Sequence, residues 1–214
     1  MNERAEEHGL IVLYPHQPRS ANSHLCWNWF RPAHQKRGGG EPALLADLTR
    51  KIMTEHNLAR ERVFLAGLSA GGAMAAILAA EYPEIFAAVG IHSGLPPQAA
   101  RNVLSALAVM KGLTRPRAGP PVTLPTIIFH GDRDQVVHPS NGQAILRDRK
   151  PSGSTEHRVP EGFTSTVTHY AEARSEHWLV RGAGHGWSGG DPRGTYTIPQ
   201  GPDATREMLR FFLE

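Results

Sequence analysis

Gly67-Leu68-Ser69-Ala70-Gly71 sets a serine between two glycines in a G-x-S-x-G spacing. A serine hydroxyl is a weak nucleophile until a base activates it. A sharp strand-to-helix turn exposes it and aims a helix N-terminus at the same point. The flanks supply such a turn: the largely apolar Arg62–Leu68 runs into the motif and the Ala-rich Gly72–Tyr82 leaves it. Ser69 is therefore the candidate nucleophile, and the N–H of Ala70 the candidate donor to a developing oxyanion. The base needs a carboxylate to orient it, and in hydrolases built on this turn the chain order is Ser, acid, His. After Thr126–His130, the run Gly131-Asp132-Arg133-Asp134 offers two acids. Asp134 is the better candidate because Val136 and Val137 can pin its loop, whereas Asp132 reads as a turn residue capping its own backbone. Among the later histidines, His185 stands in Gly182-Ala183-Gly184-His185-Gly186-Trp187, where small neighbours let an imidazole swing over the turn. His169 and His177 fall inside strand-like patterns, and His138 is too near Asp134 to bridge easily to Ser69.

Two rival groupings carry less. His130, Asp132, Asp134 and His138 have metal-ligating side chains, but their spacing matches no ligand pattern, so neither a metal nor a cofactor is expected. Cys26 sits among Trp27, Trp29 and Phe30, which reads as a packed aromatic cluster around an inert thiol.

The elements that must position these residues alternate between strand and helix. Leu10–Tyr14, Arg62–Leu68, Phe86–His92 and Thr126–His130 read as buried strands, and Val167–Ala173 with Glu176–Arg181 as a hairpin or a lone strand. Helical patterns occupy Pro42–Asn57, Gly72–Tyr82, Ser140–Arg149 and Thr205–Leu213. Apolar strands alternating with helices predict an α/β fold, its sheet mainly parallel and covered by helices on both faces. The long loops Gln17–Glu41 and Leu95–Pro125 are places to look for function.

The chain has 214 residues, 40% hydrophobic and 20% charged, which excludes a disordered or fibrous chain and suits one domain over 1–214. The apolar stretch Ala73–Ala80 is far short of the ~20 residues that span a bilayer. Its charges are mixed in sign along the chain, so a net +3 is a mild bias and not a nucleic-acid stripe. The polar start MNERAEEHG does not read as a secretory signal, and the single cysteine excludes an internal disulfide.

Taken together, VLYPHQPRSANSHLCWNWF, RVFLAGLSAGGAMAA, FAAVGIHSGLP, HGDRDQVVHPSN, GAGHGWSGG and GPDATREMLRFF resemble the polyhydroxybutyrate depolymerase family of esterases, α/β-hydrolases related to feruloyl and acetylxylan esterases. The resemblance runs from about Leu10 to the C-terminus. It implies an α/β-hydrolase with Ser69, Asp134 and His185 as its triad, and Trp27, Trp29 and Trp187 as aromatic substrate-binding residues. It implies hydrolysis of 3-hydroxybutyrate oligomers, polymer or other short-chain esters, and an exported protein. One departure stands out. The family carries a strand ending in His-Gly-Cys, whose backbone supplies a second oxyanion donor, and it precedes a helix that Met1–Gly9 matches only in its latter part. The expectation is thus an N-terminally truncated sheet, with Cys26 lacking the partner the resemblance implies and an open edge that invites self-association. The alternative function is an impaired fragment or binding module; a peptidase using the same turn is a further one.

Overall fold

Phe64–Leu68, Ala88–His92 and Thr126–Gly131 form strands β1, β2 and β3 in the computed structural model, which describes residues 1–214. The helices in chain order are α1 (Asn2–Glu7), α2 (Gly40–Glu55), α3 (Ala70–Glu81), α4 (Val103–Met110), α5 (Ser140–Ile145) and α6 (Ala204–Leu213). Strands β4 (Pro151–Arg158), β5 (Thr164–Tyr170) and β6 (Ser175–Val180) complete a six-stranded sheet of order β1-β2-β3-β6-β5-β4. Strands β1, β2, β3 and β6 run parallel, β5 pairs antiparallel with β6, and β4 pairs antiparallel with β5 at the far edge. A separate two-stranded ribbon pairs β7 (Trp187–Ser188) with β8 (Thr197–Ile198).

Alternation along the strands sends side chains to two cores. Val89, Ile91 and Ile128 meet α3 and α2 on one face, while Ala88, Ile127 and Phe129 meet α6 on the other. Helix α3 is apolar all round and buried from Gly72 to Ala79, as expected of a helix roofed by further structure. Helix α6 is amphipathic and lays Met208, Leu209, Phe211 and Phe212 on the opposite face. Three elements depart from the sequence expectations. Strand β4 is polar and almost wholly exposed, so it carries none of the apolar alternation that marks a half-buried strand. Helix α4, within the long Leu95–Pro125 loop, opens with an Asn102–Ser105 capping box. Leu10–Tyr14 is the correction that matters. Its residues form no strand and pair with none, and Ile11, Leu13 and Tyr14 are exposed.

The reason is a missing neighbour. A strand needs a partner ~4.8 Å away, and between Leu10–Pro15 and β1 lies a mainly apolar cavity of about 1280 Å³ instead. Strand β1 is thus an edge strand. Its register with β2, fixed by Ser69 N–H donating to His92 O at 2.9 Å, turns the peptide groups of Phe64, Ala66 and Leu68 toward that cavity.

Candidate active site

The C-terminal ends of β1, β2 and β3, with the loop after β6, bring the candidate residues together. Ser69 caps α3 with φ 56° and ψ −118°, a conformation that strains a residue bearing a Cβ and turns its side chain out of the sheet. The turn closes so tightly that a Cβ on Gly67 would collide with the carbonyl of Gly71. A Cβ on Gly72 would stand 3.0 Å from two backbone carbonyls, those of Gly67 and His92. Gly71 is different, because nothing lies within 4 Å of its Cβ position. Ala70 opens α3, where the first N–H groups lack intrahelical acceptors and the helix dipole is positive.

Asp134 stands four residues past His130, in the turn that follows β3. Its Oδ1 accepts the N–H groups of Val136 and Val137 at 2.9 and 2.8 Å, and its Oδ2 accepts His185 Nδ1–H at 2.8 Å. Burial pushes the carboxyl up, but the bonds from His130, His185 and Val137 outweigh it and hold Asp134 well below the usual carboxylate range. It is therefore an anion at neutral pH, suited to orient an imidazole. Val137 is fully buried and pins this loop, whereas Val136 is exposed. Asp132 does not cap its own turn. Its Oδ1 accepts Gly182 N–H at 2.6 Å, tying the acid loop to the segment that carries His185. A second tie joins Arg133 N–H to Ala183 O at 3.0 Å.

His185 is bonded to Asp134 and leaves Nε2 for another partner; no bond to Ser69 is formed in the free protein. Catalytic pairs commonly close only in the substrate complex. A histidine not singled out in the sequence links the two. His92 ends β2 and is buried; its carbonyl accepts the Ser69 N–H and its Nε2 accepts Ser188 N–H at 3.0 Å, three residues past His185. Its ring stacks on Trp187 at 5.4 Å and Phe129 at 5.8 Å. Burial lowers its pKa to about 3, helped by His130 and His185, so it stays neutral and keeps the lone pair that Ser188 needs. The available signal was positional: FAAVGIH, like TIIFH, ends a buried strand on a histidine. His169 bonds Thr155 in the exposed hairpin and His138 bonds Ser140, both away from this cluster.

The aromatic candidates separate. Trp187 is half-buried, lines the cavity beside β1 and donates from Nε1 to Thr205 Oγ1 at 3.0 Å. Trp27 lines the same cavity and a neighbouring one of about 550 Å³. Trp29 is 5% exposed and packs edge-on to Phe30 in the core. The loop bearing them is organised by Glu41, which accepts from Gln17 Nε2, Asn28 N–H and Asn28 Nδ2 at 2.6–2.7 Å. Cys26 is exposed and not enclosed by the aromatic cluster. No three His, Cys, Asp or Glu side chains are grouped to hold a metal ion.

The sequence pattern described as "Esterase PHB depolymerase" matches residues 1–149. The chain belongs to that esterase family. Among the family's relatives, the chain is 28% identical over 207 residues to poly(3-hydroxyalkanoate) depolymerase C of Paucimonas lemoignei, covering 84% of this chain and 48% of that protein. It is 30% identical over 158 residues to a probable acetylxylan esterase A of Aspergillus fumigatus, covering 64% and 41%. This family member therefore spans about half the length, or less, of these two relatives. Its fold matches the acetyl xylan esterase of Aspergillus awamori with a TM-score of 0.73 at 21% identity, over 99% of this chain and 81% of that one. The fold is an α/β-hydrolase with a mainly parallel sheet. No helix of this esterase-family chain is long and apolar enough to cross a membrane.

Proposed function

We propose that this chain is a serine carboxylic-ester hydrolase in which Ser69, His185 and Asp134 act as nucleophile, base and orienting acid. The observation that carries the proposal is the Asp134–His185 bond at 2.8 Å, made at the sheet end where Ser69 sits in its strained turn. In the reaction His185 Nε2 takes the Ser69 proton as Oγ attacks the ester carbonyl, and returns it to the leaving alcohol. Asp134 holds Nδ1–H and stabilises the imidazolium. The Ala70 N–H faces the oxyanion, and water then releases the acyl group. Trp27 and Trp187 offer apolar surface beside the turn for an acyl or polyester chain. The relatives' names point to 3-hydroxyalkanoate polyesters and acetylated sugars as the substrates to try, with short-chain esters as the general class.

A fluorophosphonate probe tests the nucleophile. The folded protein is expected to be labelled and to hydrolyse p-nitrophenyl butyrate, with both lost in Ser69→Ala. Absent labelling, or labelling that survives the substitution, rejects the triad. One observation favours a second reading, a module that binds esters without turning them over. The nucleophile-bearing β1 is an open-edge strand beside a large cavity, so the turn lacks support on one side. Labelling of Ser69 without measurable turnover identifies that case.

A further inference from the structure

Asp134 is held from behind by a histidine that the proposed triad does not use. His130 is the penultimate residue of β3 and wholly buried. Its Nε2 is 2.8 Å from Val137 O, across the turn that carries Asp134. The same nitrogen is 3.5 Å from Asp134 Oδ2, the oxygen that receives His185. A carbonyl and a carboxylate oxygen both face Nε2, so the proton belongs there and Nδ1 keeps its lone pair. Nδ1 is buried with no partner in the structure. So is His177 Nε2, on the adjacent strand β6. Both orphan nitrogens flank one spot on α5, lying 2.7 and 3.4 Å from where a Cβ on Gly142 would stand. Only a residue without a side chain leaves them that space.

We propose that His130 is a positioning residue for the acid: its Nε2–H clamps the 132–137 loop through Val137 O and turns Asp134 Oδ2 toward His185. The proposal rests on the triad reading and deepens it. The clamp explains why a carboxylate with one oxygen given to two loop amides still presents the other in line with the base. It also places a bond dipole with its positive end toward Oδ2, which tempers the charge that His185 senses. The ionisable groups around His130 are few. They are Asp134 on its own loop, His185 on the loop after β6, His92 on β2 and His177 on β6. Burial first, and then His130, lowers His177 to about 4, so it is neutral at working pH.

Two substitutions separate positioning from mere packing. His130→Gln keeps an N–H at the Nε2 position, and His130→Leu keeps bulk and removes it. His130→Leu is expected to lose roughly 10- to 100-fold in kcat on p-nitrophenyl butyrate with KM little changed. Its acid limb in the pH profile of kcat/KM should move up by about half a unit, because an untempered Asp134 holds the His185 proton more tightly. His130→Gln should recover most of both. Nitrogen-15 spectra of the wild-type protein should show His130 protonated at Nε2 and bare at Nδ1. Equal kinetics and limbs in the Leu and Gln variants, or an Nδ1–H tautomer, overturn the proposal. Failure of the triad reading shows separately, as a wild-type protein that takes no fluorophosphonate. In that event the NMR titration of His185 in wild type and His130→Leu still decides the role of His130: an unmoved midpoint rejects it.

Discussion

Asp134 shows how one side chain divides its work. Oδ1 is consumed by the Val136 and Val137 amides and sets the loop; Oδ2 is given to His185 and sets the base. Asp134→Asn can keep the first task, because an amide oxygen still accepts both N–H groups. It loses the charge that stabilises an imidazolium and offers an NH2 where His185 needs an acceptor. The expected result is a melting temperature near wild type with kcat on p-nitrophenyl butyrate down by roughly 10⁴-fold. A loss under tenfold in steady-state assays would remove Asp134 from the proposed triad. Asp132→Asn probes the neighbouring carboxylate, whose partner is the Gly182 amide. Its oxygen survives in the amide, so turnover should fall far less. These two acids, two positions apart, were separable in the sequence only by the valines that follow Asp134. The actual task of Asp132, tying two loops, was invisible because Gly182 is 50 residues away.

At the scale of the element, the turn from β1 to α3 depends on two of its glycines and not on the third. Gly67→Ala drives a methyl into the Gly71 carbonyl, a backbone clash that no rotamer relieves. A cost of about 3 kcal/mol, hence a melting temperature lower by roughly 10 °C, is expected, with little soluble activity. Gly71→Ala meets open space inside a helix and should raise stability by about 0.5–1 kcal/mol. Calorimetry of the pair checks both signs. Equal melting temperatures would show that the turn opens to admit the methyl. This turn was legible in the sequence because strand, glycines and Ala-rich helix are contiguous. So were β2, β3 and α6, whose apolar patterns report burial directly. Strand β4 was not, since a strand solvated on both faces reads as loop. Leu10–Tyr14 misled for the opposite reason. Its composition is that of a buried strand, but pairing depends on a neighbour that no local pattern contains. Of His92 and His130 the sequence shows only that each ends a buried strand; that His92 holds Ser188, 96 residues away, comes from tertiary packing.

Over the whole molecule, acid and the open edge set the limits. His92 and His177 are buried and neutral, lowered by burial to about 3 and about 4 from an ordinary value near 6.5. The unfolded chain binds these two protons as pH drops below about 6.5, while the folded chain refuses them until about 4 and about 3. Their contribution is thus complete above pH ~6.5 and is lost as pH falls through that window, by about 1.4 kcal/mol per pH unit for each proton withheld. Urea midpoints should fall steadily from neutral pH to about 4, and less steeply in His177→Leu. The edge acts through concentration instead. Phe64-Leu65-Ala66-Gly67-Leu68 presents a row of peptide groups to a cavity, with no charge, proline or bulge within it to deter another strand. The Leu10–Pro15 segment adds exposed Ile11, Leu13 and Tyr14 on the far wall. Sedimentation velocity is expected to show self-association that grows with protein concentration. Ala66 is exposed in mid-strand, so Ala66→Lys can set a charge on the edge without disturbing the core. That variant should shift the protein toward monomer with Ser69 still labelled by fluorophosphonate. A wild-type chain that stays monomeric at every concentration would mean that the Leu10–Pro15 wall already shields β1 from a partner.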